Sequence, residues 1–180
     1  MSALNEMNAV ETIAFILERR SVRVYAPGEV SDDQVRTLLT AAMAAPSAAG
    51  KNPWQFVVVR DRQTMSRLAI ALPHGEMLAG AALCVVVCGD LEVAHDNQLS
   101  YLLQDCSAAT ENILLACHVL GLGACWIGVH PRTERIKSVR EILLLPNPII
   151  PIACISIGRP GETKEPRASY RADAVHFETW

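Results

Sequence analysis

Charge is scarce in this 180-residue chain, and what there is does not lean basic. Asp, Glu, Lys and Arg make up 19% of residues, with a formal net charge of −3. A nucleic-acid binder needs a basic face to meet the phosphate backbone, so that class is excluded. Aromatic residues are also few, at 5%, and no basic stripe is interleaved with them. Long uninterrupted apolar runs are missing as well. Residues 113–129 contain His118, Gly121, Gly123 and Gly128, and residues 142–157 contain Pro146, Pro148 and Pro151. Neither stretch makes one clean apolar helix of about 20 residues, so both read as core and no membrane span is expected. The first ten residues carry an acid and polar residues in place of the basic start and apolar run of a secretory leader, so none is expected.

The cysteines lack pairing patterns. Cys84, Cys88, Cys106, Cys117, Cys125 and Cys154 all sit in apolar surroundings without a Cys-x-x-Cys motif. They read as small buried hydrophobes in a reducing cytosol, which makes a cytoplasmic protein the expectation. Cys84 and Cys88 fall in a strand-like segment, on one face but about 13 Å apart, too far to share a metal. The histidines are scattered, so no zinc site is expected. No P-loop and no Gly-x-Ser-x-Gly is present. Gly121-Leu122-Gly123 follows a helix and precedes a strand, the reverse of the dinucleotide-binding order, and reads as a helix stop.

Hydrophobic residues are plentiful, at 51%, with a mean hydropathy of +0.21. A large apolar subunit interface accounts for such a value in a chain of one-domain length. The periodicity predicts helices over residues 10–20, 31–45, 61–71, 99–120 and 133–144. Ser31 and Gln34 have capping-box spacing. Strands are predicted over residues 54–60, 82–89, 124–129 and 149–157, the second of them buried on both faces. The long helix is apolar almost all round from residue 113, so it must be enclosed on every side, and a second subunit is a natural cover. Residues 159–180 turn polar and read as an arm over its own or a partner's surface. The alternation predicts one three-layer domain, α/β or α+β.

Three stretches suit a ligand. Arg19-Arg20-Ser21-Val22-Arg23 offers forked guanidinium donors and a hydroxyl to a multi-oxygen anion, or is a solvated helix end. Residues 45–54 put small residues between Pro46 and Pro53, so a planar ligand has access to backbone, with Ser47 and Asn52 beside it; an ordinary loop has the same look. Residues 123–128 form a glycine-flanked strand tip that suits a ring or a plain buried strand.

Taken together and in order, RRSVR, APSAAGKNPWQFVVV, QDCSAATENILLACHVLGLGACWIG, PIACISIGRPGE and EPRASYRADAVHFETW resemble the short, single-domain type of FMN-dependent nitroreductase. The resemblance covers nearly the whole chain. It implies an α+β fold with a central mixed β-sheet flanked by helices. It also implies a homodimer with a long buried interface helix and FMN at the subunit interface. By residue match, Arg19, Ser21 and Arg23 would line the FMN, with Arg19 at the phosphate and Arg23 near the ring, where a cation stabilises negative charge on it. Arg20 would assist. Pro46, Ser47 and Ala48 would reach the ring from the partner subunit. Gly50 stands where the family often has Asn, so backbone or Asn52 would take over the contact with the ring edge. Trp126, Ile127 and Gly128 would cover the opposite ring face, and Arg159 and Arg167 would close the phosphate site.

The implied reaction is ping-pong transfer from NAD(P)H through FMN to a nitroaromatic, quinone or similar small-molecule oxidant. It needs no protein acid, base or nucleophile, so Asp105 and Glu111 read as structural polar contacts. The alternative is a flavin-binding protein of the same fold with dehydrogenating, dehalogenating, flavin-fragmenting or no turnover.

Overall fold

Two strands whose residues are apolar on both faces set the centre of the sheet. The computed structural model describes residues 11–167 and 169–180. In it β3 (Leu83–Asp90) is buried along seven consecutive residues, and β5 (Ile149–Pro160) along eight. Period-two alternation sends Leu83, Val85 and Val87 to one side of the sheet and Cys84, Val86 and Cys88 to the other. β2 (Trp54–Val59) pairs with β3, β3 with β5, and β5 with β4 (Gly123–Gly128). The short β1 (Tyr25–Ala26) pairs with the C-terminal end of β5. All these ladders are antiparallel. The parallel component of the expected mixed sheet is one bridge, Ser21 to Ala124.

The two apolar faces attract two helical layers. Core residues from α2 (Asp32–Met43) and α4 (Leu99–Val119) cluster with Leu83, Val85 and Ile155. Core residues from α3 (Arg62–Ala71) and α5 (Thr133–Leu143) cluster with Cys84, Val86 and Cys154. The result is the three-layer α+β arrangement. All six cysteines are buried free thiols. Burial pushes the thiols of Cys88, Cys106 and Cys117 up to about 12, which keeps them protonated.

The capping box forms as the spacing predicts: Ser31 Oγ accepts the Gln34 N–H at 3.2 Å, and Gln34 Oε1 accepts the Ser31 N–H at 3.0 Å. The first helix differs from its prediction. Val10, its expected start, lies outside the described residues, and α1 (Ala14–Glu18) ends before Arg20. The cause is tertiary. Arg19 turns to ψ 128°, and the Val22 N–H donates to the Ala124 carbonyl at 2.9 Å, so the run leaves the helix to pair with β4.

The long helix has the predicted bounds, but the described residues enclose only part of it. Ile113, Leu114 and Cys117 are buried, whereas Val119 is 65% exposed. Leu115, Ala116 and Val119 line an open apolar groove of about 470 Å³ with Phe15, Ala41 and Leu120. No helix among the described residues is long and apolar enough to cross a membrane.

β5 extends to Pro160, past its predicted end. The arm then lies along its own chain. The Gly161 N–H donates to the Val24 carbonyl at 2.8 Å. Glu162 Oε1 accepts the N–H groups of Arg23 (2.6 Å) and Val24 (3.2 Å) and pairs with Lys164 Nζ at 2.9 Å. Lys164 also donates to the Ser21 carbonyl at 3.0 Å, and Arg20 to that of Glu165. Beyond this clasp Tyr170, Phe177 and Trp180 are exposed.

Ser31→Ala removes one cap bond and is expected to cost about 1 kcal/mol in denaturant unfolding; an unchanged midpoint would contradict the capping role. The Arg23 amide first, then Lys164 and the Val24 amide, hold the Glu162 carboxyl down from 4.5 to about 2. A lowered folded-state pKa gives stability that is complete above about 4.5 and lost as pH falls through about 2. Hydrogen-exchange protection of those two amides is therefore expected to be constant above pH 4.5 and to decline below it. Protection independent of pH down to 2 would refute the carboxylate anchor.

Candidate functional site

Guanidinium groups from both ends of the chain converge on one cleft of about 430 Å³. Its walls include Arg19, Arg20, Ser21 and Arg23 from the run after α1, and Arg167 from the arm. Ile16 and Leu17 of α1 form its apolar side. Two tethers fix the run. The bridge to Ala124 holds Ser21 and Val22 on β4. The Tyr25 hydroxyl then lies 2.9 Å from the Val22 carbonyl and 2.7 Å from Ser156 Oγ, inside the sheet. Burial pushes the Tyr25 hydroxyl well above its usual range, so it stays a neutral donor.

The cleft is strongly cationic although the chain is not. Arg19 Nε lies 3.4 Å from Glu111 Oε1, and Arg20 is bound to a backbone carbonyl. Arg23 and Arg167 have no ion pair among the described residues. Four guanidinium groups thus face one carboxylate, a surplus suited to a multiply charged oxyanion. Arginine binds such a group bidentately and stays charged. The field reaches the buried Cys125, whose thiol is raised by burial but pulled back by Arg23, Ser21, Lys164 and Arg19.

The expected residues divide into those the structure gathers and those it does not. Arg19, Arg20, Ser21, Arg23 and Arg167 meet. Arg159 does not line the cleft; it pairs with Ala26 in β1, and its side chain crosses Gly28, where a Cβ would lie 2.3 Å from it. On β4, Trp126 is 37% exposed and Gly128 is half-buried, while Ile127 is buried against the α3 and α5 layer. Alternation turns the Ile127 side chain inward, so Ile127 offers a ligand only its backbone.

The Pro46 loop also lies apart from the cleft. It is stiff: Ser47 Oγ donates to Asn52 Oδ1 at 2.7 Å and accepts the Asn52 N–H at 2.9 Å. The Ala48 N–H donates to Asp105 Oδ1 at 2.9 Å. Ala49, Gly50 and Asn52 have φ of 50°, 65° and 51°. These left-handed values cost Ala49 strain that Gly and Asn largely avoid. Nothing lies within 4 Å of a Cβ built on Gly50, so the space for a side chain exists and is unfilled. Asn52 Oδ1 is committed to Ser47, so the Asn52 side chain offers a ligand its Nδ2 donors and the loop offers its backbone.

Glu111, expected as a structural polar contact, is the ion-pair partner of Arg19. Two participants escaped the sequence reading: Glu162 and Lys164 clasp the arginine run. No local signal marks them, because the pairing of residues 161–165 with residues 20–24 is long-range.

Comparison with known proteins places the chain by sequence and by fold. The nitroreductase family matches residues 16–74 and 69–159. A relative from Archaeoglobus fulgidus, provisionally named NADH dehydrogenase/NAD(P)H nitroreductase, is 42% identical over 94% of this chain and 99% of its own. The FMN-dependent nitroreductase of Clostridium difficile R20291 superposes with a TM-score of 0.86 at 33% identity, over 93% of this chain and 99% of that one. A protein from Desulfovibrio desulfuricans, provisionally called a nitroreductase and crystallised in complex with FMN, superposes at 0.81 with 31% identity, over 93% and 96%. With a three-layer α+β fold and family matches spanning most of its length, this chain belongs to the nitroreductase family.

Proposed function

We propose that this chain is an FMN-dependent oxidoreductase that carries electrons from NAD(P)H to nitroaromatic, quinone or similar acceptors by a ping-pong route. The observation that carries this reading is the convergence of Arg19, Arg20, Ser21, Arg23 and Arg167 on one cleft. Its donors fit the terminal phosphate of FMN, a dianion with several acceptor oxygens. The FMN-dependent nitroreductase of Clostridium difficile and the FMN complex of the Desulfovibrio desulfuricans protein support the choice of flavin.

Arg19, Ser21 and Arg167 hold the phosphate, and Arg20 backs them. Arg23, exposed and without an ion pair among the described residues, is free to face the ring and oppose negative charge on it. Bound FMN supplies the acceptance and donation of hydride, so the protein's work is to bind, orient and tune. Among the described residues, those that line the cleft are aliphatic, hydroxyl and guanidinium side chains, with no aromatic one to stack on a ring. The Pro46 loop and the open apolar groove lie elsewhere on the surface, which supports a homodimer in which Pro46, Ser47 and Ala48 reach the ring from the second copy. Loop backbone near Gly50 then meets the ring edge, and Trp126 with Gly128 covers the other face.

Purified protein is expected to show flavin absorbance that NADH or NADPH bleaches anaerobically and a quinone restores. Bound FMN that neither nucleotide reduces would sink the proposed activity. Arg19→Ala is expected to weaken FMN binding by about 1.5–3 kcal/mol, the scale of a hydrogen bond to a charged group, and to leave riboflavin binding nearly unchanged; equal losses for both would remove Arg19 from the phosphate. Val119→Glu places a charge in the apolar groove. Sedimentation is expected to show dissociation, with FMN retention falling in parallel; a dimer that persists with its FMN would place the interface elsewhere.

A further inference from the structure

The arm of this chain is more than a cover. It leaves β5 at Pro160 and delivers Arg167 to the cleft, so something must fix its path between those points. Glu162 sits at the first turn of that path and is only 23% exposed in its side chain. One carboxylate oxygen gathers the backbone N–H of Arg23, the backbone N–H of Val24 and the ammonium of Lys164. Lys164 then reaches the Ser21 carbonyl, and Arg20 reaches back to Glu165. All of these contacts except the Glu162–Lys164 pair, which lies within the arm, join the arm to the segment that carries Arg19, Ser21 and Arg23.

We propose that Glu162 is a positioning residue for the phosphate site: it latches residues 161–165 onto residues 20–24 and thereby brings Arg167 into the cleft. The proposal rests on the cleft's being the phosphate site. Glu162 does not line the cleft, and as an anion it would repel a phosphate if it did. Its contribution is geometric. Without the carboxylate, the Arg23 and Val24 amides lose their acceptor and Lys164 loses its partner. The arm is then held by the Gly161 N–H, the Arg20 bond and a Lys164 bond to the Ser21 carbonyl that has lost its carboxylate support, and Arg167 samples a wider volume. Ordering it again on binding costs affinity. Gly161 marks the same contact from the other side. A Cβ there would lie 2.9 Å from the Tyr25 carbonyl carbon and 3.0 Å from the Ala26 nitrogen, backbone atoms that cannot give way.

The test compares FMN with riboflavin, which lacks the phosphate, by equilibrium fluorescence titration of the apoprotein. Four forms are compared: the unsubstituted chain, Glu162→Ala, Arg167→Ala and the double variant. Glu162→Ala is expected to raise the FMN dissociation constant roughly tenfold, in the range for a bond to a charged group, and to change that for riboflavin less than twofold. Because Glu162 acts through Arg167, the double variant is expected to lose little more than Arg167→Ala alone. Glu162→Gln keeps an acceptor oxygen for the amides and is expected to recover part of the loss. Gly161→Ala lifts the arm without altering any charge and is expected to mimic Glu162→Ala, which covers the case in which Glu162→Ala folds poorly. Losses in the double variant that multiply, or Glu162→Ala with full preference for FMN, would overturn the latch while leaving the phosphate site standing. An unsubstituted chain that binds both flavins equally would overturn the phosphate site itself, and the latch with it.

Discussion

Strand β5 carries the rest of the molecule. It is buried from Pro151 to Gly158 and pairs along its length with β3, β4 and β1. A strand with both faces and both edges covered cannot shift register without moving its whole apolar set out of the core. The cleft is built from what β5 fixes. Its neighbour β4 receives Ser21 and Val22, its buried Ser156 meets the Tyr25 hydroxyl, and its end at Pro160 aims the arm back along the arginine run. Two distant segments thus reach one place because both are tied to the same strand.

The electrostatics follow from that gathering. A chain with a net charge of −3 concentrates four guanidinium groups on one small surface. Like charges held this close repel, so the arrangement needs compensation before any anion arrives. Glu111 supplies it for Arg19, and the Glu165 carbonyl engages Arg20. The compensation is incomplete and partly solvated, which leaves a positive field able to draw in and hold a phosphate. The thiols are kept out of this chemistry. Cys125 is closest to the field, yet burial still holds its thiol above the ordinary value.

The parts of the surface left open have a common logic. α4 turns Ile113 and Cys117 to the core but leaves Val119 exposed, and α1 presents Ile13, Ile16 and Leu17. The Pro46 loop is likewise built but not used by its own cleft. Ser47, Asn52 and Asp105 lock it into a strained shape with three left-handed residues. Strain kept by specific hydrogen bonds is characteristic of a segment that presents backbone to something else.

Local patterns were enough to define much of this protein. The capping box at Ser31, the doubly buried β3, the bounds of α4 and the buried cysteines are properties of short windows, where periodicity and side-chain chemistry act within a turn or two. The arginine run was visible for the same reason, as a density of donors within five residues. Tertiary structure decided what those donors face. It ended α1 before Arg20 by pairing Val22 with β4, set Arg159 against Gly28, turned Ile127 inward, and gave Glu162 and Glu111 their partners. Each of these depends on contacts between residues far apart in the chain, and a sequence window carries no information about which distant segment will supply the other half of a hydrogen bond. The sequence by itself determined that a dense run of anion donors follows the first helix; only the folded sheet, by returning the arm along that run, decided that Arg167 and not Arg159 lines the same cleft.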